Sequence, residues 1–123
     1  GFSNGDPWLP VHPNFTHRNA DAQGKDPDSL LNFYKKMLAI RREHRALSSG
    51  ILRFLDSGSS RVMVYQRAHK DEKIVVALNF SGGEQSIHPL DGTILISTAR
   101  ESDHIGKEIT TLKGDEALIL KVH

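Results

Sequence analysis

The chain has 123 residues, 37% hydrophobic and 25% charged, with 16 Lys+Arg against 15 Asp+Glu and a formal net charge of +1. That length holds one domain, or one small domain and part of another, and the charge balance gives no electrostatic case for nucleic acid. With no cysteine, disulfides and thiolate metal sites are excluded, and a cytoplasmic location is the expectation.

The longest apolar run falls far short of the roughly 18 residues a membrane span needs. No basic-then-apolar leader precedes a small-residue cleavage site. A start at Gly1 rather than methionine is what a piece of a longer protein would show.

Residues 1–25 carry Pro7, Pro10 and Pro13 with Gly1, Gly5 and Gly24. Proline fixes its own φ and pushes the preceding residue toward extended conformations, so Trp8-Leu9-Pro10-Val11-His12-Pro13 reads as an extended or turn segment. An irregular stretch of this length is uncommon inside a compact domain. Its Trp8, Leu9, Val11 and Phe15 make it too apolar for a solvated linker. The expectation is a loop that packs on a body outside this chain.

A helix is predicted over 27–46. Asp26 suits the N-cap, Pro27 the first helical position and Asp28 the positive end of the dipole. Leu30, Leu31, Phe33, Tyr34, Met37, Leu38 and Ile40 recur at helical spacing, with Asn32, Lys35, Lys36, Arg42 and Glu43 opposite. So wide a stripe predicts burial against a large partner surface. The basic run Arg41-Arg42 through Arg45, broken by Glu43, reads as a solvated face. Gly50 closes the region.

Beyond Gly50 the period changes to two. Strands are predicted at 51–55, 61–67, 73–80, 84–88, 93–98, 108–112 and 117–122. Turns at 56–60, 69–72, 81–83 and 113–116 separate them, Asp91-Gly92 is a hairpin signal, and 99–107 is an irregular charged loop. The nearly continuous apolar run Ile74–Leu78 predicts a central strand. The fold class is therefore mainly β: a small antiparallel β-sandwich preceded by an irregular loop and one amphipathic α-helix.

Chemistry is sparse. Asp56, Asp71, Glu72, Glu84, Asp91, Asp103, Asp115 and Glu116 fall almost entirely in turns, where carboxylates cap backbone groups and keep loops solvated. His12, His17, His44, His69, His88, His104 and His123 form no i, i+4 pair, so no metal is expected. The serine pairs lack nucleophile-elbow glycines, and Gly82-Gly83 lacks the lysine and helix of a phosphate loop. Trp8 has two readings. On a proline-rich loop it is either a platform on which a sugar stacks, which makes it the one substrate-binding candidate, or a plug pinning the loop to a neighbouring body. The burial habit of large aromatics favours the plug.

Several stretches carry a family resemblance: Gly1-Phe2 with Gly5, Pro7-Trp8-Leu9-Pro10-Val11, Pro13-Asn14-Phe15, and Asp26 through Lys36. Leu38-Ala39-Ile40-Arg41-Arg42-Glu43-His44 continues it, then Ala46-Leu47, Val76–Ser81 and Asp115–Leu120. The chain resembles the C-terminal part of an α-amylase-superfamily glycoside hydrolase of the oligo-1,6-glucosidase and α-glucosidase group, to which trehalose-phosphate hydrolases are close. The resemblance is strong through residue 47 and one of style thereafter. It implies that residues 1–47 end a catalytic (β/α)8 barrel, with 1–25 the loop after its last strand and about 27–46 its last helix. Residues 48–123 would be the C-terminal antiparallel β domain. Such barrels carry their active sites on the βα loops, so residues 1–25 would face the catalytic rim.

The family's aspartate nucleophile, glutamate acid/base and third aspartate match no position here. No catalytic residue, metal ligand or cofactor is carried over, and the chain alone is expected to be inactive. Its expected role is structural, within a parent that hydrolyses short α-glucosides by a retaining mechanism. The expected partners are the missing barrel of the same polypeptide and, for the parent, an oligosaccharide. No nucleic acid or membrane is expected, and self-association through the helix stripe is expected of the chain alone. The rival readings are a carbohydrate-binding module, which needs a row of exposed aromatics where Phe54, Tyr65 and Phe80 are expected in the core, and an independent β-sandwich interaction domain.

Overall fold

Asn32 decides where the principal helix begins. In the computed structural model, which describes residues 4–100 and 108–123, its amide donates to the carbonyls of Gln23 (3.0 Å), Gly24 (3.3 Å) and Asp26 (2.7 Å). Ser29 Oγ donates to Gln23 O at 2.6 Å and accepts from Asn32 N at 3.2 Å. Gln23 Oε1 accepts from Leu31 N at 3.1 Å. These bonds hold residues 24–29 as a turn, so the helix α2 runs Leu30–Glu43 with Ser29 as its capping side chain. The expected start at Pro27 is corrected. Asp26 instead ends a short preceding helix, and its carboxylate accepts from Asp28 N at 2.9 Å in an Asx turn.

That preceding helix, α1 (Ala20–Lys25), lies in the stretch expected to be irregular. Asn19 caps it, accepting from Ala22 N at 2.8 Å, and Pro13–Thr16 form a single 3₁₀ turn. At its other end α2 stops where His44 turns extended (φ −106°, ψ 107°), and α3 (Arg45–Ser49) follows. The single helix expected over 27–46 is thus two, and the break has a cause. Glu72 Oε2 accepts from Ala46 N at 2.7 Å while Oε1 meets His44 Nδ1 at 2.6 Å, which caps α3 from a neighbouring strand. Gly50 ends α3 for lack of space rather than for a left-handed φ. A Cβ there would strike the carbonyls of Ala46 and Ala68.

The chain divides into two compact units, Gly1–Ala39 and Ile40–His123. The second holds seven strands among its described residues: β1 (Ile51–Leu55), β2 (Val62–His69), β3 (Glu72–Asn79), β4 (Gln85–Leu90), β5 (Thr93–Ser97), β6 (Ile109–Leu112) and β7 (Ala117–Val122). Five form an antiparallel sheet in the order β1-β2-β3-β7-β5, and β4 and β6 form a second, two-stranded one. β3 lies in the middle, as its apolar run predicts, with Ile74 through Ala77 all buried. The loop expected at 99–107 lies outside the described residues except for Ala99 and Arg100.

Asp91-Gly92 does not close a hairpin. β4 and β5 belong to different sheets, and β5 pairs with β7 from Thr93↔Lys121 onward. Gly92 passes so close to the Lys121 carbonyl, at φ +151°, that no side chain fits. The chain can therefore change sheets where a hairpin would have kept it in one. Pro89 sits inside β4, where the β4–β6 register shifts between Ser86 and Leu90. A residue without an N–H is tolerated at such an irregular edge.

Two apolar clusters use opposite faces of the large sheet. Val64, Val75, Ala77, Ile94, Leu118 and Leu120 face the second sheet's Ile87, Ile109 and Leu112. On the outer face, Ala46 and Leu47 of α3 cover Ile74, with Ile40, Leu95 and Ile119 around them. This cover is partial. Phe54 is 66% exposed, and so is most of β1. Phe54 pairs with Tyr65 on the outer face, ring centroids 6.4 Å apart and edge-on at 71°, and Phe80 lies just past the end of β3. The expectation that these phenylalanines belong to the core is therefore corrected.

Candidate functional site

The N-terminal unit presents its apolar side chains outward. Trp8 is 91% exposed on a segment without helix or strand, and Leu9, Val11 and Phe15 are exposed beside it in sequence. The fold around them is well tied. His12 Nδ1 accepts from Asn14 N at 3.3 Å, and Asn19 Nδ2 donates to Phe15 O at 2.9 Å. Along α2, Leu30, Tyr34, Met37 and Leu38 fall on one stripe and are all exposed. On the opposite face Lys35, Lys36, Arg42 and Glu43 are exposed, whereas Asn32 is half-buried in its own carbonyl cluster. Chemically this surface offers one indole face and an apolar stripe, and no acid, base and nucleophile converge on it among the described residues.

Three carboxylates of the β unit, those of Asp56, Glu72 and Glu116, accept hydrogen bonds within the described residues. Asp56 Oδ1 accepts from Gly58 N at 3.0 Å. Glu72 bridges His44 and Ala46. The Ala46 N–H and then the His44 ring hold its carboxyl below the usual glutamate range. An ionised carboxylate only accepts, so His44 Nδ1 carries the shared proton. Glu116 departs from the solvated-turn reading altogether, because it is 1% exposed. It receives Arg100 Nε (2.6 Å) and Nη2 (2.9 Å), Ser97 Oγ (3.0 Å) and Lys113 N (2.8 Å). Burial opposes its ionisation, and the Arg100, Lys113 and Ser97 bonds outweigh that and hold its pKa down. Asp71, Glu84, Asp91 and Asp115 stay exposed, and Asp103 lies outside the described residues.

Nor do the histidines converge. His12 caps the 3₁₀ turn, His17 ends it, and His123 Nε2 meets Thr93 Oγ1 at 2.8 Å. His88 lies 4.0 Å from Asp56 at the surface, His69 ends β2, and His104 lies outside the described residues. Among the described residues no three of His, Asp and Glu could hold a metal ion, and no helix is long and apolar enough to cross a membrane.

Both depressed glutamates set a pH dependence. A lowered folded pKa adds stability that is present above the ordinary glutamate value of 4.5 and is lost as pH falls through the folded value. The melting temperature is expected to fall with acidification below about pH 4.5. Glu72→Gln is expected to flatten that acid limb while lowering the neutral-pH melting temperature, and a pH series of thermal melts reads both.

Comparison with known proteins gives these features a setting. Residues 1–50 match the family model of the α-amylase catalytic domain. The chain is 38% identical over 81 residues to a probable oligo-1,6-glucosidase 2 of Bacillus subtilis, covering 66% of this chain and 14% of that protein. It is 26% identical over 128 residues to the trehalose-6-phosphate hydrolase of the same organism, covering 99% of this chain and 23% of the relative. Among solved structures, the trehalulose synthase of Pseudomonas mesoacidophila superposes with a TM-score of 0.81 at 33% identity, over 100% of this chain and 23% of that one. The chain thus spans 14% to 23% of the length of these relatives. The catalytic-domain match runs past the start of the second compact unit, through α3, to residue 50.

Proposed function

This chain belongs to the α-amylase family of glycoside hydrolases, and from that premise we propose that it is the C-terminal portion of a retaining glycosidase acting on short α-glucosides. Residues 1–47 end its catalytic barrel, with the Trp8 segment toward the rim. Residues 48–123 are a C-terminal β-sandwich domain whose role is to close and stabilise that barrel.

The observation that carries this reading is one of extent. The likeness covers essentially the whole of this chain and 23% of the trehalulose synthase. The site supports the same division of labour. A retaining mechanism needs two carboxyl groups about 5–5.5 Å apart, one as nucleophile and one as acid/base. Glu72 and Glu116 are already bound to His44, to Arg100 and to backbone N–H groups. On this reading the catalytic pair is assigned to the rest of the polypeptide.

The test compares the 123-residue chain with the longer natural product on isomaltose and maltose, following the anomer first released by NMR. Hydrolysis with retention by the longer product, and none above background by the chain, is expected. Cleavage by the chain itself, or inversion by the longer product, overturns the reading.

A second reading rests on the exposure of Trp8: the segment contacts sugar directly. Trp8 is the single tryptophan, so its fluorescence reports that segment alone. Saturable quenching by maltose or isomaltose supports the platform, and its absence leaves the plug.

A further inference from the structure

A chain of hydrogen bonds runs from α2 back to the Trp8 segment, and side-chain amides carry its longest steps. Asn32 gives its amide to the carbonyls of Gln23, Gly24 and Asp26. Gln23 offers its side-chain oxygen to Leu31 N and its carbonyl to Ser29 Oγ. At the other end of α1, Asn19 Nδ2 reaches Phe15 O and its Oδ1 takes Ala22 N. Phe15 N in turn donates to His12 O at 3.0 Å. Ahead of His12 the described chain has no helix or strand, but Pro7 and Pro10 fix their own φ there, on either side of Trp8. A helix of 6 residues such as α1 is marginal by itself, so it depends on the ties at its two ends. The tie to α2 is made by Asn32 and Ser29.

Resting on the functional reading above, we propose that Asn32 is a positioning residue for the α-glucoside substrate. It does not touch the sugar. It acts through Gln23, α1 and Asn19, which set where the Trp8 segment stands at the rim. The choice of residue supports this role. Asparagine is a poorer helix former than leucine, so α2 gives up propensity at its third position. What it receives in exchange are three amide bonds that lead away from α2, to carbonyls of the preceding turn and of α1. Ser29 and Gln23 complete the same corner, and Ser29 is buried there. A displacement of about 1 Å at the rim of an active site is enough to be felt in the kinetics. The role is the same whether Trp8 stacks on the sugar or pins the segment, because either task needs the segment held in place.

The test uses Asn32→Leu, which keeps the volume and the helix and removes the donors. In the longer natural product KM for isomaltose is expected to rise by about tenfold while kcat stays within about twofold, the mark of lost binding rather than lost chemistry. A merely structural role would lower the amount of active enzyme and leave KM where it was, and that result overturns the proposal. Gln23→Glu keeps the oxygen that receives Leu31 N and is the conservative control, expected to hold KM. A rise as large as that of Asn32→Leu overturns the proposal as well. Should Asn32→Leu fail to fold, Ser29→Ala removes one bonded hydroxyl and is expected to raise KM by about threefold; an unchanged KM there counts against the proposal equally. The 123-residue chain gives a readout free of catalysis. Trp8 is its single tryptophan, and Asn32→Leu is expected to lower its fluorescence anisotropy as the segment loosens. Unchanged anisotropy overturns the positioning role. If the unmodified longer product does not hydrolyse isomaltose or maltose, the functional reading ends, and the anisotropy still decides whether Asn32 holds the segment.

Discussion

Glu116→Gln is expected to destabilise the β unit by about 3–5 kcal/mol, the usual cost of removing one partner from a buried ion pair. The carboxylate is fully enclosed and Arg100 is 18% exposed in its side chain. Every group that approaches Glu116 is a donor: two nitrogens of Arg100, the Ser97 hydroxyl and the Lys113 N–H. Glutamine keeps the shape and loses the fit. Its amide nitrogen must replace one oxygen, so a donor then faces a donor, and the Arg100 charge stays buried without a counter-charge. The lost bonds reach several parts of the fold, because Arg100 also donates to Thr111 O on β6, Lys113 follows β6 and Ser97 ends β5. Urea unfolding of Arg100→Met, of Glu116→Leu and of the variant carrying both closes a double-mutant cycle. The double variant is expected to lose less than the sum of the singles. Additive losses would mean that the two side chains act independently and that the pair is not the anchor.

Glu116 also shows where sequence reasoning reaches its limit. Punctuation is local, and it was legible: the seven strands, the turns between them and the central place of β3 follow from alternation and glycine-rich breaks. The long-range choices were not. Nothing in Asp91-Gly92 says that the chain changes sheets there, because that depends on the carbonyl of Lys121, some thirty residues on. Glu116 and Glu72 look like ordinary turn acids because their partners, Arg100, Ser97 and His44, are brought to them only by the fold. Asn32 and Ser29 carried a faint local signal, since both types prefer helix starts to helix interiors. The more familiar Asp-Pro-Asp pattern just before them outweighed it. Phe54 reads as core on residue type alone, whereas exposure depends on which half of the sheet α3 covers. The candidate site was legible only as a segment. Trp8 stands out by composition, and the fold leaves it exposed on a segment without helix or strand.

The core that the β unit does contain should be as sensitive as its polar anchor, and Leu120→Ala is expected to cost about 2–5 kcal/mol. Leu120 is fully buried on β7, in register with Val75 on one side and Ile94 on the other, and it faces the Ile87, Ile109 and Leu112 of the second sheet. Its neighbours are held by backbone ladders on both sides, so the space left by three carbons cannot close by a strand shifting inward. That geometry favours the upper part of the range, because the cost grows with the residual cavity. A unit of this size is stable by about 0.05–0.15 kcal/mol per residue, so one such cavity removes a large fraction of the total. Leu120→Met conserves volume and is expected to cost less than about 1.5 kcal/mol. The pair separates packing from mere apolarity. If alanine and methionine destabilise equally in urea at unchanged m-value, the seven strands do not share the close-packed interior described above. If alanine alone collapses the unit, the β domain stands on its own core.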